Sequence, residues 1–278
     1  MRQKIPDDAL PRFAVHLQEE EKSRATIEKY LRDVRSFLAY LGDEPADKTT
    51  VIGYKAFLTE RYAPASVNSM LAALNCFFRF LGLQSCCVRL LKIQRRIFIG
   101  EEKELTKTEY RRLIEAAGES RMSYILQTIC GTGIRVSELK YITVEAVRAG
   151  KAVVNCKNKM RIILLPMPIR QMLKRYIRES GIRTGPVFVT RSGHPLNRSN
   201  IWRDMKALCR RAGVASQKVF PHNLRHLFAR IFYAVEKDIV RLADLLGHSS
   251  INTTRIYTME SGSRQCSCLE RIQKILTT

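Results

Sequence analysis

Apolar positions in the first 82 residues recur at three- and four-residue steps, the spacing of amphipathic helices. Ile27, Tyr30, Leu31, Val34, Phe37, Leu38 and Leu41 form one stripe over residues 26–42, and Gly42 follows as a helix stop. A shorter helix is predicted before it, over about 7–20, and another over about 49–60. A fourth begins after Pro64, carries Val67, Met70, Leu71, Leu74, Phe78 and Leu81 on one face, and ends at Gly82. Periodicity is lost over 84–103, which reads as a linker. Thr106 and Glu109 then stand at capping-box spacing and open a new helix. Residues 122–130 read as a buried helix that Gly131 and Gly133 break and Val136–Leu139 resumes.

Residues 150–165 change character. Two β-branched runs, AVVN and RIILL, flank the segment CKNKM, which predicts a hairpin with a basic tip. Helical spacing returns over 168–179, about 199–212, 222–235 and 236–246, and a short helix is expected at 250–258. Leu269, Ile272, Ile275 and Leu276 space a small amphipathic tail helix, 269–276. The pattern therefore predicts a mainly α (α+β) chain. A helical N-terminal domain (1–91) and a linker (92–103) precede a mixed helical domain (104–278) with a small antiparallel hairpin. A length of 278 residues suits two domains of ordinary size.

Charge sharpens this division. The formal net charge is +22. Residues 1–95 hold 15 Lys and Arg against 11 Asp and Glu, whereas 96–278 hold 33 against 15. The second domain is thus built to meet a polyanion, with nucleic acid the first candidate. A membrane surface is the second, but the basic residues are spread over many elements and no apolar face is left unpaired. No apolar run reaches 18 residues, and the N-terminus lacks the apolar stretch of a secretory signal. The eight cysteines form no CxxC pair, which fits reduced thiols of a cytoplasmic protein. His222 and His226 are four apart, as two helical metal ligands could be, but no third ligand lies near them in sequence, so no metal and no cofactor is expected.

Three segments carry residues suited to phosphodiester chemistry. Cleavage without a metal needs a nucleophile, cations for the extra charge of the transition state, and a proton for the leaving oxygen. GTGIRVSEL (131–139) offers Arg135, with Glu138 three residues on; a buried Arg–Glu pair is the structural alternative. PHNLRHLFAR (221–230) puts His222 and Arg225 on one face near the positive start of a helix. LLGHSSINTTRIYT (245–258) puts His248 after a helix-stopping glycine and Tyr257 nine residues later. An ordinary phenol titrates near 10, so a nucleophilic tyrosine needs assistance. On the first domain, Arg24, Lys29, Arg32 and Arg35 flank the apolar stripe, either as a solvated face or as phosphate contacts.

Taken together, GIRVSE, HNLR, LGH and Tyr257, in that order and at that spacing, resemble the tyrosine recombinase (phage integrase) family over 104–258. The N-terminal helices resemble the family's core-binding domain in pattern only. The resemblance implies that Arg135 and Arg225 clamp the scissile phosphate, that His222 and His248 hydrogen-bond it, and that Tyr257 forms a 3′-phosphotyrosyl bond. It also implies a hairpin lysine as the acid. Lys157 is preferred, with Lys159 the alternative, because the turn 156–161 is one residue shorter than in many relatives. Arg161 would then contact DNA and Glu138 would give structural support.

The resemblance further implies a clamp around duplex DNA and a homotetramer on two DNA sites. The tail helix would pack on a neighbour or on its own domain. An accessory directionality factor is left open. The expected activity is site-specific recombination, integrating or excising a mobile element or resolving replicons. The alternatives are a catalytically silent DNA-binding factor with the same fold and a type IB topoisomerase. The first helix starts so near residue 1 that no additional arm-binding domain is expected. With roughly six to ten phosphates neutralised, DNA affinity should fall by about 10³–10⁵ between roughly 50 and 200 mM salt in a filter-binding titration. A flat response would contradict the electrostatic reading.

Overall fold

Capping side chains set the starts of the helices. Ser23 accepts from the Thr26 backbone N–H to open α2 (Arg24–Leu41), and Asp47 does the same from Thr50 for α3 (Lys48–Arg61). Pro64 takes the first turn of α4 (Pro64–Phe80), where its missing N–H costs nothing. With α1 (Ala9–Glu19), these helices bury Phe13, Val34, Phe37, Leu58, Leu71 and Phe77 in one core. The computed structural model describes residues 4–93, 104–156, 159–248 and 250–257, together with Glu270, Ile272, Gln273 and Ile275. The chain divides into two compact units, Met1–Arg95 and Arg96–Thr278. Nearly all of the expected linker 92–103 lies outside the described residues.

The second unit opens on α5 (Lys107–Ala117), whose Thr106–Glu109 capping box is formed in both directions. Next comes α6 (Arg121–Thr132). It runs straight through Gly131, where a break was expected, and stops at Gly133 in the left-handed conformation. Gly131 is tolerated because a Cβ there would lie 2.7 Å from Ile169 Cδ1, so its absence lets a neighbouring helix close in. Val136–Tyr141 is a 3₁₀ segment and does not resume the α-helix. An unpredicted short helix, α7 (Val144–Ala149), is capped by Thr143 and ended by Gly150.

The hairpin forms as predicted, with β1 (Lys151–Cys156) antiparallel to β2 (Lys159–Leu164) and Val154 opposite Arg161. Its inner face buries Ala152, Val154 and Ile163. Its outer face corrects the expectation that no apolar face is unpaired: Val153, Met160, Ile162 and Leu164 are all exposed by half or more. Then follow α8 (Met167–Glu179), α9 (Arg198–Ala212), α10 (Pro221–Glu236), α11 (Ile239–Leu246) and α12 (Ile251–Thr254). A 3₁₀ turn, Arg255–Tyr257, replaces the last turn of the helix expected at 250–258. Thr258 lies outside the described residues, as does most of the tail segment, of which Glu270, Ile272, Gln273 and Ile275 are helical. Among the described residues, no helix is long and apolar enough to cross a membrane.

Gly133 joins α6 to the functional residues downstream. Its φ is +63°, and a Cβ would lie 2.5 Å from the Phe228 ring. Backbone strain and overlap act together here, so Gly133→Ala should destabilise the fold by about 2–4 kcal/mol. Urea unfolding would check this, and a loss under about 1 kcal/mol would contradict it.

Candidate active site

The site is assembled at the end of α11. Asp238 caps the start of this helix, and Gly247 ends it at φ +63°. The last carbonyls of a helix lack intrahelical donors and carry partial negative charge. Three successive carbonyls here each accept from a different arginine. Arg161 Nη1 donates to Leu245 O at 3.1 Å, Arg225 Nη2 to Leu246 O at 2.7 Å, and Arg135 Nη2 to Gly247 O at 3.3 Å. Gly247 is needed for space as well as for φ, since a Cβ would lie 2.6 Å from Arg161 Cδ.

Arg225 is the most enclosed of the three, at 2% exposure. Its other nitrogen, Nη1, donates to Gly133 O at 2.6 Å, beyond the end of α6. Burial, then the nearby charge of Arg135, lowers its pKa to about 10; the Tyr257 hydroxyl beside it acts in the opposite sense. The guanidinium remains cationic at neutral pH. Arg135 is more open, its side chain 42% exposed.

Glu138 is the carboxylate of the cluster, 3% exposed. It accepts from the Arg135 backbone N–H and from Arg135 Nη1, both at 2.9 Å, and it pairs with Arg161 Nη2. Burial alone would raise its pKa. The Arg135 N–H and the two guanidiniums outweigh burial and lower it. Arg161 was expected on DNA, but the structure turns its guanidinium inward, with the side chain only 14% exposed. The cause is the two-residue period of a strand, which puts Arg161 on the same face as buried Ile163.

Three histidines complete the cluster. Arg225 Nη2 donates to His248 Nε2 at 3.0 Å, so the ring proton sits on Nδ1 and donates to buried Thr254 Oγ1 at 2.9 Å. Burial, then the charges of Arg225, Arg135 and Arg161, lowers the His248 pKa to about 4. His222, in the first turn of α10, keeps an exposed edge, and partial desolvation of its ring, followed by the charges of Arg225, Arg135 and Arg198, lowers its pKa. His226 packs edge-on against His222 at 4.4 Å and against Tyr257 at 4.7 Å. Burial, then His222 and Arg225, lowers its pKa to about 4.

Tyr257 is 3% exposed in a small apolar cluster with Ala229, Leu242 and Leu246, its ring stacked over His248 at 6.0 Å. The structure thus brings together Arg135, Arg225, Glu138, His222, His248 and Tyr257. Lys157 lies outside the described residues, as does the side chain of Lys159. Sequence reasoning missed Thr254 and the carbonyls of 245–247, which carry no side-chain signal for this role, and saw His226 only as a metal ligand to be dismissed.

The expected DNA-contacting set on α2 divides. Lys29 donates to Asp33, whose side chain is 6% exposed, and to Ser69 O, so it compensates a buried carboxylate. Arg24 pairs with Glu28 at 2.8 Å in solvent, Arg32 lies 3.7 Å from Asp33, and Arg35 is exposed.

Comparison with known proteins bears on this arrangement. Residues 103–264 match the model of the phage integrase family, and residues 10–84 match its N-terminal SAM-like domain. The chain is similar to the tyrosine recombinase XerA of Pyrococcus furiosus, 31% identical over 98% of this chain and 96% of that one. It is also similar to the tyrosine recombinase XerD of Lacticaseibacillus casei, 29% identical over 85% and 88%. Among solved structures, a XerA recombinase crystal structure is 28% identical with a TM-score of 0.54, covering 95% of this chain and 98% of that one. A lambda integrase tetramer bound to a Holliday junction shares the fold at TM-score 0.74 and 18% identity, over 90% of this chain and 76% of that one.

The neutral histidines give stability a pH dependence of definite sign. The unfolded chain takes up protons near pH 6.5, whereas folded His226 and His248 resist protonation down to about 4. Their contribution is present above pH 6.5 and is lost as pH falls toward 4. Thermal unfolding from pH 7 to 4 should show this decline, and His226→Phe should flatten it by removing one of the two groups. An unchanged slope in the variant would contradict the assignment.

Proposed function

The chain belongs to the phage integrase family and is a tyrosine recombinase, an enzyme that cleaves and rejoins DNA, and from that premise we propose that Tyr257 is its nucleophile. The supporting observation is the convergence of Tyr257, Arg225 and Arg135 on the C-terminal end of α11. The Tyr257 oxygen attacks phosphorus as its hydroxyl proton passes to the neutral ring of His222, and the bond to the 5′ oxygen breaks. A 3′-phosphotyrosyl ester and a free 5′ hydroxyl result. Reversal by a 5′ hydroxyl from the partner strand rejoins DNA, and the ester conserves the bond energy, so no nucleotide is consumed.

A phosphodiester carries one negative charge and its pentavalent transition state about two. Arg135, Arg161 and Arg225 against Glu138 leave two positive charges uncancelled. That matches the transition state better than the ground state, and such a difference is what accelerates a reaction. Carbonyl anchoring fixes the guanidiniums before substrate arrives, so little reorganisation is needed. His222, exposed at the positive start of α10, is placed to donate to a phosphate oxygen. His248 holds Arg225 through Nε2. A lysine of the hairpin tip, Lys157 or Lys159, protonates the leaving oxygen.

The assembly we propose is a homotetramer on two DNA sites. The Holliday-junction tetramer of the structurally similar lambda integrase supports this reading. Arg24, Arg32 and Arg35 on α2 then follow the phosphate backbone, and the protein works on DNA in the cytoplasm.

Tyr257→Phe should bind DNA as the parent chain does and form no covalent adduct on a nicked suicide substrate. An adduct in that variant would remove Tyr257 from the role. Arg225→Lys should slow adduct formation by about 10²–10³, because an ammonium cannot span both carbonyls and the phosphate. Cleavage should persist in EDTA; loss on chelation with recovery in magnesium would indicate a metal-dependent nuclease.

A further inference from the structure

Arg161 stands apart from the other two arginines. Its guanidinium is turned inward and is held between the Glu138 carboxylate and Leu245 O. With its side chain only 14% exposed, it offers little of that guanidinium to a phosphate. Yet it is neither remote nor replaceable by packing alone. It lies against Gly247, a glycine that leaves it room, and it shares one carboxylate with Arg135. Glu138 is itself needed, since it accepts from both the backbone and the side chain of Arg135 and so fixes that residue's direction.

That requirement creates a conflict of charge. A buried carboxylate that orients Arg135 also cancels Arg135. With Arg225 as the only other arginine of the cluster among the described residues, these groups would carry one net positive charge toward a transition state of about two negative charges. Arg161 resolves the conflict from the buried side of the cluster. We infer that Arg161 is a positioning residue for strand cleavage: it neutralises Glu138, so that Glu138 orients Arg135 without consuming its charge. This rests on the nucleophile and arginine roles proposed above. It predicts that Arg161 acts on the phosphate through Arg135 and does not act on the leaving oxygen through the hairpin.

The test uses the full chain and single-turnover cleavage of a nicked suicide substrate at saturating protein, with DNA affinity measured separately and folding checked by circular dichroism. Arg161→Met should slow cleavage by about 10- to 100-fold, less than the 10²–10³ lost with a donor that touches the reacting group. DNA affinity should change much less than the rate. Arg161→Lys, which keeps the charge but not the fork, should recover part of the rate. The decisive variant is Glu138→Gln/Arg161→Met. With no carboxylate to cancel Arg135, it should cleave faster than Arg161→Met alone. If the single variant fails to fold, the double variant compared with Glu138→Gln carries the same test, with nearly equal rates expected.

A substrate with sulfur in place of the bridging 5′ oxygen separates the two routes of action. Its thiolate leaves without a proton, so the rate loss in Arg161→Met should persist on it. Abolition of the loss would overturn the proposal and assign Arg161 to leaving-group protonation. A double variant no faster than Arg161→Met would also overturn it, as would a Glu138→Gln/Arg161→Met rate far below that of Glu138→Gln. If the unsubstituted chain gave no Tyr257-dependent adduct, the functional reading itself would fall, and the proposal with it.

Discussion

Three arginines on three consecutive carbonyls at one helix end are the interaction on which the rest of the site depends. Leu245, Leu246 and Gly247 offer acceptors that no N–H within α11 can satisfy, and Arg161, Arg225 and Arg135 satisfy them in turn. Burial, and then the repulsion of like charges packed this closely, lowers the pKa of Arg225. The helix-end carbonyls and the buried Glu138 carboxylate hold them together, and the carboxylate cancels one of the three charges. Positive charge concentrated in a partly dry site suits a phosphate that gains charge as it reacts.

The same arrangement explains the histidines. Burial makes an imidazolium costly here, and the neighbouring guanidiniums, Arg225 for both rings, add to that cost. His248 and His226 are therefore neutral near pH 7. Neutrality gives His248 an acceptor nitrogen, which it uses on Arg225, and an Nδ1 proton, which it gives to Thr254. The geometry of Arg225 and the protonation state of His248 thus fix one another. Tyr257 closes the set from a small apolar cluster that locates the ring while its hydroxyl faces Arg225.

Charge elsewhere is placed differently. The helical first unit carries little net charge, and α2 spends Lys29 on buried Asp33. A basic residue on a helix surface is therefore not by itself a DNA contact. Arg161 teaches the same lesson in the second unit. In both residues a long cationic side chain that looked solvent-directed in sequence reaches a carboxylate hidden beneath it.

The sequence by itself determined most of the elements and their chemical inventory. The helix cap at Thr106, the stops at Gly42 and Gly247, and the β-branched runs AVVN and RIILL act locally, over three or four residues, so they can be read from a string. The inward turn of Arg161 was not read from the string, because it follows from the strand register that puts it on the buried face with Ile163. What tertiary structure alone decided was partnership across long separations. Arg135 meets Gly247 across 112 residues, Arg225 meets Gly133 across 92, and Arg161 meets Leu245 across 84. Backbone carbonyls are common to every residue type, so no letter marks the three that hold arginines. The list of reactive groups is a property of the chain, whereas their charge balance and protonation states arise only when the end of α11 meets the hairpin and α10.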